Sequence, residues 1–155
     1  MKRPIVVAAA GLIVVAAGCA GCSSNDSDKG SPSPGPAAPA GPRMIVDGQN
    51  QNVSGPVTCT PNGENINIGI GDVANGIGAV VSTGNPPIVH AVGLGAVNGV
   101  TLGYSDAAPG QAGNAGAAVS GKYYQIKGTA TGSDVSNPAQ PKTLTKPFEL
   151  DVTCP

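Results

Sequence analysis

Asn65-Ile66-Asn67-Ile68-Gly69-Ile70 sets isoleucine at every second position, with asparagine or glycine between. A period of two is the repeat of a pleated strand, so this stretch predicts a β-strand with one apolar face and one polar face. Asn62-Gly63 just before it supplies the residues of a tight reversal. On the far side of that turn, Val53, Gly55, Val57 and Cys59 alternate with Ser54, Pro56 and Thr58. These residues alone predict a hairpin of two half-buried strands.

The same pattern continues outward in both directions. Met44-Ile45-Val46 runs into Asp47-Gly48, a second turn signal. Ile77 to Thr83 and Ile88 to Leu94 flank Gly84-Asn85-Pro86-Pro87, a loop through which neither strand nor helix can continue. Val100 to Tyr104 comes after Asn98-Gly99. Lys122 to Thr131 carries Tyr124 and Ile126 on one face, and in Lys146 to Cys154 the apolar Phe148, Leu150, Val152 and Cys154 alternate with Glu149, Asp151 and Thr153. No dozen residues carry a helical stripe, and a short turn around Asp72 to Asn75 is the only helical candidate. Roughly eight or nine short strands at turn-punctuated spacing predict an all-β fold, an antiparallel β-sandwich or partly open barrel.

Composition agrees with that class. The 155 residues include 24 Gly and 15 Pro but 1 Phe, 3 Tyr and no Trp, so the core is built of Val, Ile, Ala and Gly. Charged residues are 11% and the formal net charge is −1, which supplies no basic face for nucleic acid.

Residues 1–21 have the three-part layout of a secretory signal peptide. Lys2 and Arg3 precede an uncharged apolar run from Pro4 to Gly18, then small residues in Ala16-Ala17-Gly18-Cys19-Ala20-Gly21-Cys22. The run is near the minimum that spans a bilayer, but the basic cap, the small residues and the closing cysteines fit processing better. A cysteine directly after a small residue at the end of such a run marks lipidation: a diacylglycerol on the thiol, cleavage before it, and an acylated new N-terminus. Cys22 is favoured because Ser23, Ser24, Asn25 and Asp26 give it a polar exit; Cys19 is the alternative. Two or three acyl chains imply stable membrane attachment.

Residues 22–42 then read as a lipidated, disordered Pro/Ser/Gly/Ala tether. Ser31-Pro32-Ser33-Pro34-Gly35-Pro36 and Pro39-Ala40-Gly41-Pro42 predict extended polyproline-like chain, with a reach of up to roughly 60 Å. Residues 43–155 form the β-rich domain. Cys59 and Cys154 both fall on the apolar parity of their strands, and a disulfide between them closes a loop worth about 4–5 kcal/mol; two free buried thiols are the other reading. Lipidation at Cys22 also disposes of Cys19 with the leader, which leaves no odd thiol.

Catalytic chemistry has little to stand on. His90 is the one histidine and lies within an apolar strand, where it is a tolerated sheet residue rather than a general base. Glu149 and Asp151 share a strand face and could meet a cation, but a solvated face opposite Phe148 and Leu150 explains them. Metal sites need clustered His, Cys or carboxylates, which the sequence lacks. The pairs Gly69/Gly71, Gly76/Gly78 and Gly93/Gly95 are succeeded by strand or turn residues, not by the helix that a phosphate loop requires. Asn52-Val53-Ser54 is a formal glycosylation sequon that carries no information in a bacterial lipoprotein. The expectation is therefore a non-enzyme without cofactor.

The chain resembles the mycobacterial nineteen-kilodalton lipoprotein antigen family along essentially its whole length. The resemblance is carried by Ile45-Val46-Asp47-Gly48 with Gln51-Asn52-Val53, by Gly84-Asn85-Pro86-Pro87, and by Val92-Gly93-Leu94-Gly95 through Asn98-Gly99-Val100-Thr101-Leu102-Gly103-Tyr104. Gly128-Thr129-Ala130-Thr131-Gly132 and Val152-Thr153-Cys154 complete it. It implies an antigen anchored on the extracytoplasmic face of the cell membrane, at the cell surface or shed, acylated at the cysteine before Ser-Ser, which is Cys22. It further implies sensing by host Toll-like receptor 2 through the acyl chains, and adhesion to phagocyte receptors. Two features depart from the family: Cys19 stands at its Leu position, and the tether lacks the Thr clusters that carry O-mannose, so Ser31 and Ser33 become the acceptors. A second function class, an envelope lipid or glycolipid carrier, requires a large apolar cavity; an enzyme is third.

Overall fold

The computed structural model describes residues 39–108 and 112–155. These build one continuous antiparallel sheet of ten strands: β1 (Arg43–Val46), β2 (Gln49–Gln51), β3 (Val57–Asn62), β4 (Asn65–Ile70), β5 (Ile77–Ser82), β6 (Val89–Val97), β7 (Val100–Ser105), β8 (Asn114–Ser120), β9 (Tyr123–Asp134) and β10 (Lys142–Thr153). The order across the sheet is β2-β1-β10-β9-β7-β6-β5-β4-β3, with β8 also on β9. β10 takes one edge of β9 along its whole length, so β9 divides its other edge. Its first half pairs with β8 and its second half, at Thr131 and Gly132, with β7.

The sheet curls into a half-barrel, which is the partly open barrel among the expected architectures. The two ends of the strand order are not hydrogen-bonded to each other. A covalent bond joins the curl: Cys59 in mid-β3 is disulfide-bonded to Cys154, the residue just after β10, with 5.7 Å between Cα atoms. The concave side holds the core. Met44, Val46, Ile68, Ile70, Val81, Val92, Leu94, Leu102, Ile126, Phe148, Leu150 and Val152 are all buried there, and Cys59 packs against them.

Local sequence explains the corners. Asp47-Gly48 and Asn98-Gly99 are the two central residues of two-residue hairpin turns, and all four have positive φ. That is the type I′ geometry that matches strand twist, and Asx-Gly pairs adopt it at least cost. The turn expected near Asp72 is a single 3-10 turn, Val73–Asn75, capped by the Asp72 carboxylate on the Ala74 N–H at 2.8 Å.

The sequence reading undercounts the strands. β8, Asn-Ala-Gly-Ala-Ala-Val-Ser, has almost no β-branched or aromatic residues and carries no strand signal of its own. It is a strand because β9 offers it seven paired positions, from Asn114↔Thr129 to Ser120↔Tyr123; tertiary pairing overrides weak local preference.

Candidate functional site

β6 carries two irregularities that shape the concave side. Opposite β5 the register shifts at His90, because Val80 pairs with Ala91 while Val81 pairs with Val89. Opposite β7 it shifts again between Gly93 and Ala96, where β6 holds one extra residue. Gly95, at φ 66°, is part of that second bulge, and a Cβ there would lie 2.6 Å from the Asn75 carbonyl oxygen. A bulge bends its strand and re-aims the side chains beyond it. The inward residues accordingly run Val89, then Val92 and Leu94, then Val97.

The bulged β6–β7 segment faces the end of β2 and the turn before β5. Between them lies an open groove of about 930 Å³. Its floor is the top of the core at Met44, Leu94 and Leu102, and Tyr104 forms part of one wall. Asn52 and Asn75 stand on the rim, both exposed. Among the described residues, none that lines the groove is an acid, a base or a histidine. Below it the core is filled: Val81, Ile126, Leu150 and Val152 are wholly buried.

The ionic cluster around Asp151 lies on the convex side, across β1, β10 and β9. Arg43 pairs with Asp151, and Asp151 with Gln125, directly across the strands. Arg43 donates to Asp151 Oδ2 through Nε at 2.9 Å and through Nη2 as well, and Nη2 also reaches Glu149 Oε1 at 2.8 Å. Tyr123 Oη donates to Asp151 Oδ1 at 2.9 Å. Lys127 completes the row at 3.4 Å from Glu149. Here the sequence reading is corrected, because Asp151 is fully buried rather than solvated. Tyr123, itself buried on this face, and Arg43 cover it. Burial by itself raises a carboxylate's pKa, but hydrogen bonds from Arg43, Tyr123 and Gln125, with the guanidinium charge, outweigh it and hold Asp151 below the ordinary range. Burial first, and the Asp151 hydrogen bond second, push the Tyr123 phenol up.

The remaining sequence candidates are scattered. His90 Nδ1 meets Asp106 Oδ2 at 2.6 Å on the surface, and the His90 carbonyl accepts the Asp106 N–H. Neither residue lines the groove, although Asp106 directly follows the lining residue Ser105, and neither joins the Asp151 cluster. Among the described residues no three His, Cys, Asp or Glu side chains group as a metal site. Also among them, no helix is long and apolar enough to cross a membrane. Cys19, Cys22, Ser31 and Ser33 lie outside the described residues. Of the glycine pairs, Gly69, Gly78 and Gly93 are paired strand positions, whereas Gly71, Gly76 and Gly95 have positive φ at turns or in the β6 bulge. Sequence reasoning passed over Tyr104, Asn75 and the groove itself; the signal available for it was Gly93-Leu94-Gly95, a broken alternation inside an apolar run.

The family described as Mycobacterium 19 kDa lipoprotein antigen matches residues 35–154. Lipoprotein LpqH of Mycobacterium tuberculosis (strain H37Rv) is 50% identical over 162 residues, covering 99% of both chains. Lipoprotein LpqH of Mycobacterium avium is 51% identical over 165 residues with the same coverage. A putative lipoprotein of Mycobacteroides abscessus is 34% identical over 167 residues, again across 99% of each chain. With the family matching from before β1 to just after β10 and relatives of 50% identity covering nearly the whole chain, the chain belongs to the Mycobacterium 19 kDa lipoprotein antigen family.

Proposed function

We propose that this protein is an exported, non-catalytic envelope antigen whose signal to a host is its lipid. Residues 1–21 direct export and are removed, Cys22 (or, in the alternative, Cys19) carries the diacylglycerol and an N-acyl chain, and residues 22–42 tether the domain of residues 43–155. The acyl chains are what Toll-like receptor 2 senses, and the exposed domain serves adhesion to phagocyte receptors. Ser31 and Ser33 are the O-glycosylation acceptors. The observation that carries this reading is that relatives named lipoproteins match across 99% of the chain. The Cys59–Cys154 disulfide supports it, since such bonds persist in oxidising, extracytoplasmic compartments.

The test is mass spectrometry on protein from the detergent phase of its native host, with N-terminal peptides read before and after reduction. An acylated peptide that begins at Cys22 is the expected result. Acyl mass on a peptide that begins at Cys19 would move the site. An unacylated chain that keeps residues 1–21 overturns the anchor.

The groove favours one second reading, a carrier of envelope lipid. Its open form, its polar rim and the filled core beneath place that reading behind the first. Lipid that co-purifies in stoichiometric amount and leaves on unfolding would reverse the order.

A further inference from the structure

We propose that the groove on the concave side is a binding site for a neutral polysaccharide of the envelope in which the protein is anchored. The choice of that source rests on the lipid-anchored reading above; the chemistry rests on the groove alone.

Charge gives the first argument. None of the described lining side chains is charged at neutral pH. The five cations among the described residues, Arg43, Lys122, Lys127, Lys142 and Lys146, lie on β1, β9, β10 and the turn before β9. Arg43, Lys127 and Lys146 are engaged by Asp151, Glu149 and Asp47, Lys122 donates to the Pro155 carbonyl, and Lys142 faces Asp134 across the β9–β10 pair. An anionic ligand in the groove would lose its water and gain no counter-charge, which is unfavourable. Phosphorylated headgroups, nucleotides and acidic glycans are therefore disfavoured.

The second argument separates sugar from alkyl chain. Asn52 and Asn75 make no side-chain hydrogen bond among the described residues. Each amide offers two donors and an acceptor. A sugar hydroxyl is both donor and acceptor and satisfies either end, whereas an alkyl chain laid across the rim would strip water from both amides and return nothing. The floor residues Met44, Leu94 and Leu102 are each at most 3% exposed, so the floor presents little apolar surface, and the accessible apolar groups are in the walls, at Val53, Ile77 and Ala96.

The third is shape. Tyr104 is half-buried against the core, with a ring carbon 3.3 Å from where a Cβ on Gly113 would lie, and supplies an aromatic wall. A pyranose ring has apolar C–H faces and polar edges, so it can lie on the tyrosine with its hydroxyls toward the amides. At about 930 Å³ the space is at the upper end of ligand-site sizes and open, which suits a short segment of a chain that continues at both ends.

The experiment takes mature protein, extracted with its acyl chains from the native host into mixed micelles. Calorimetry tracks its titration with wall polysaccharide from the same cells, split by anion exchange into neutral and acidic pools. Saturable binding to the neutral pool is expected. Tyr104→Ala, and separately Asn52→Ala with Asn75→Ala, should each weaken it by at least about tenfold, while Tyr104→Phe keeps it within about threefold. The exposed amide pair keeps the test meaningful where Tyr104→Ala fails to fold. Binding only to the acidic pool, or binding that all three variants leave unchanged, or displacement of the glycan by a fluorescent fatty acid, overturns the chemistry, as does no saturable binding. Binding to host-cell neutral glycans but not to the wall pool overturns the source. Failure of the anchor reading is recorded separately, as missing acyl mass on the same preparation.

Discussion

Replacing Cys59 and Cys154 together by alanine removes the one covalent tie between the β3 end of the sheet and β10, and its cost can be worked out from the chain. The two residues are 95 apart in sequence. Releasing a loop of that size returns about 4–5 kcal/mol of conformational freedom to the unfolded ensemble. The native state loses little to offset this. Both sulfurs lie on half-buried residues, so alanine leaves no large sealed cavity. For a domain of this length the midpoint of thermal unfolding should fall by roughly 15–20 °C. Urea melts of the oxidised and double-alanine proteins give the free energy directly, and the slope with urea should rise as the unfolded chain expands.

The structure also fixes where the loosening begins. β3 hydrogen-bonds only to β4, and β4 reaches the rest of the sheet only through β5. Without the disulfide, amide hydrogens of β3 and β4 should exchange first, while β1, β10 and β9 stay protected. A loss below about 1.5 kcal/mol, against the 4–5 expected, would refute the closure argument. So would exchange that begins in β1 and β10.

The same geometry dictates three further outcomes. Tyr123→Phe deletes the hydroxyl that donates to buried Asp151 at 2.9 Å; a hydrogen bond to a charged group contributes about 1.5–3 kcal/mol, so the urea midpoint should drop with the slope unchanged. Asp151 is depressed in the folded state, so its contribution is fully present above the unfolded carboxylate value near ~3.9 and is lost as pH falls through the lower folded value. Stability measured between pH 6 and pH 2 should therefore fall along an acid limb, and Asp151→Asn should flatten that limb while lowering the plateau. Gly78→Ala places a Cβ 2.2 Å from the Ile68 carbonyl oxygen, which is backbone and cannot step aside, whereas a Cβ at Gly116 meets nothing within 4 Å. The first should cost about 1–3 kcal/mol or prevent folding, and Gly116→Ala should stay within about 0.5 kcal/mol of the parent, both read from thermal melts.

Where alternation is strict the sequence was legible. Ile66, Ile68 and Ile70 on β4, and Phe148, Leu150 and Val152 on β10, point inward as their spacing requires. The Cys59–Cys154 pairing was legible for the same reason, since both cysteines keep the parity of those rows. β6 was not, because its two bulges reverse the phase twice within nine residues, and neither bulge has a local signature beyond a glycine. The groove depends on the second of them and on β2 lying opposite, a long-range apposition that no window of sequence contains. Asp151 was misread for a different reason. Its period-two position does put it on the convex face, but alternation says which way a side chain points and not what covers it. Arg43 is 108 positions away and Tyr123 is 28 away.

The distribution of charge connects these observations. Every described lysine and arginine lies on the part of the sheet where the chain enters at Arg43 and ends after β10, while the stretch from β3 through β7 carries only Glu64, Asp72, His90 and Tyr104 as ionisable groups. Arg43 is the first residue of β1, so the link from the N-terminal segment runs straight into its bonds with Asp151 and Glu149. A pull along that segment would load β1, which pairs with β10 on one side and β2 on the other. The ionic cluster thus reinforces the place where an anchored domain would be held, and the uncharged groove lies where β2 faces the bulged β6–β7 hairpin. If this division of labour is right, Tyr123→Phe and Asp151→Asn should weaken the fold and leave glycan binding unchanged, whereas Asn52→Ala with Asn75→Ala should do the reverse. A single variant that lowered both by comparable factors would show that groove and cluster are one cooperative unit, and the separation argued from their positions would not stand.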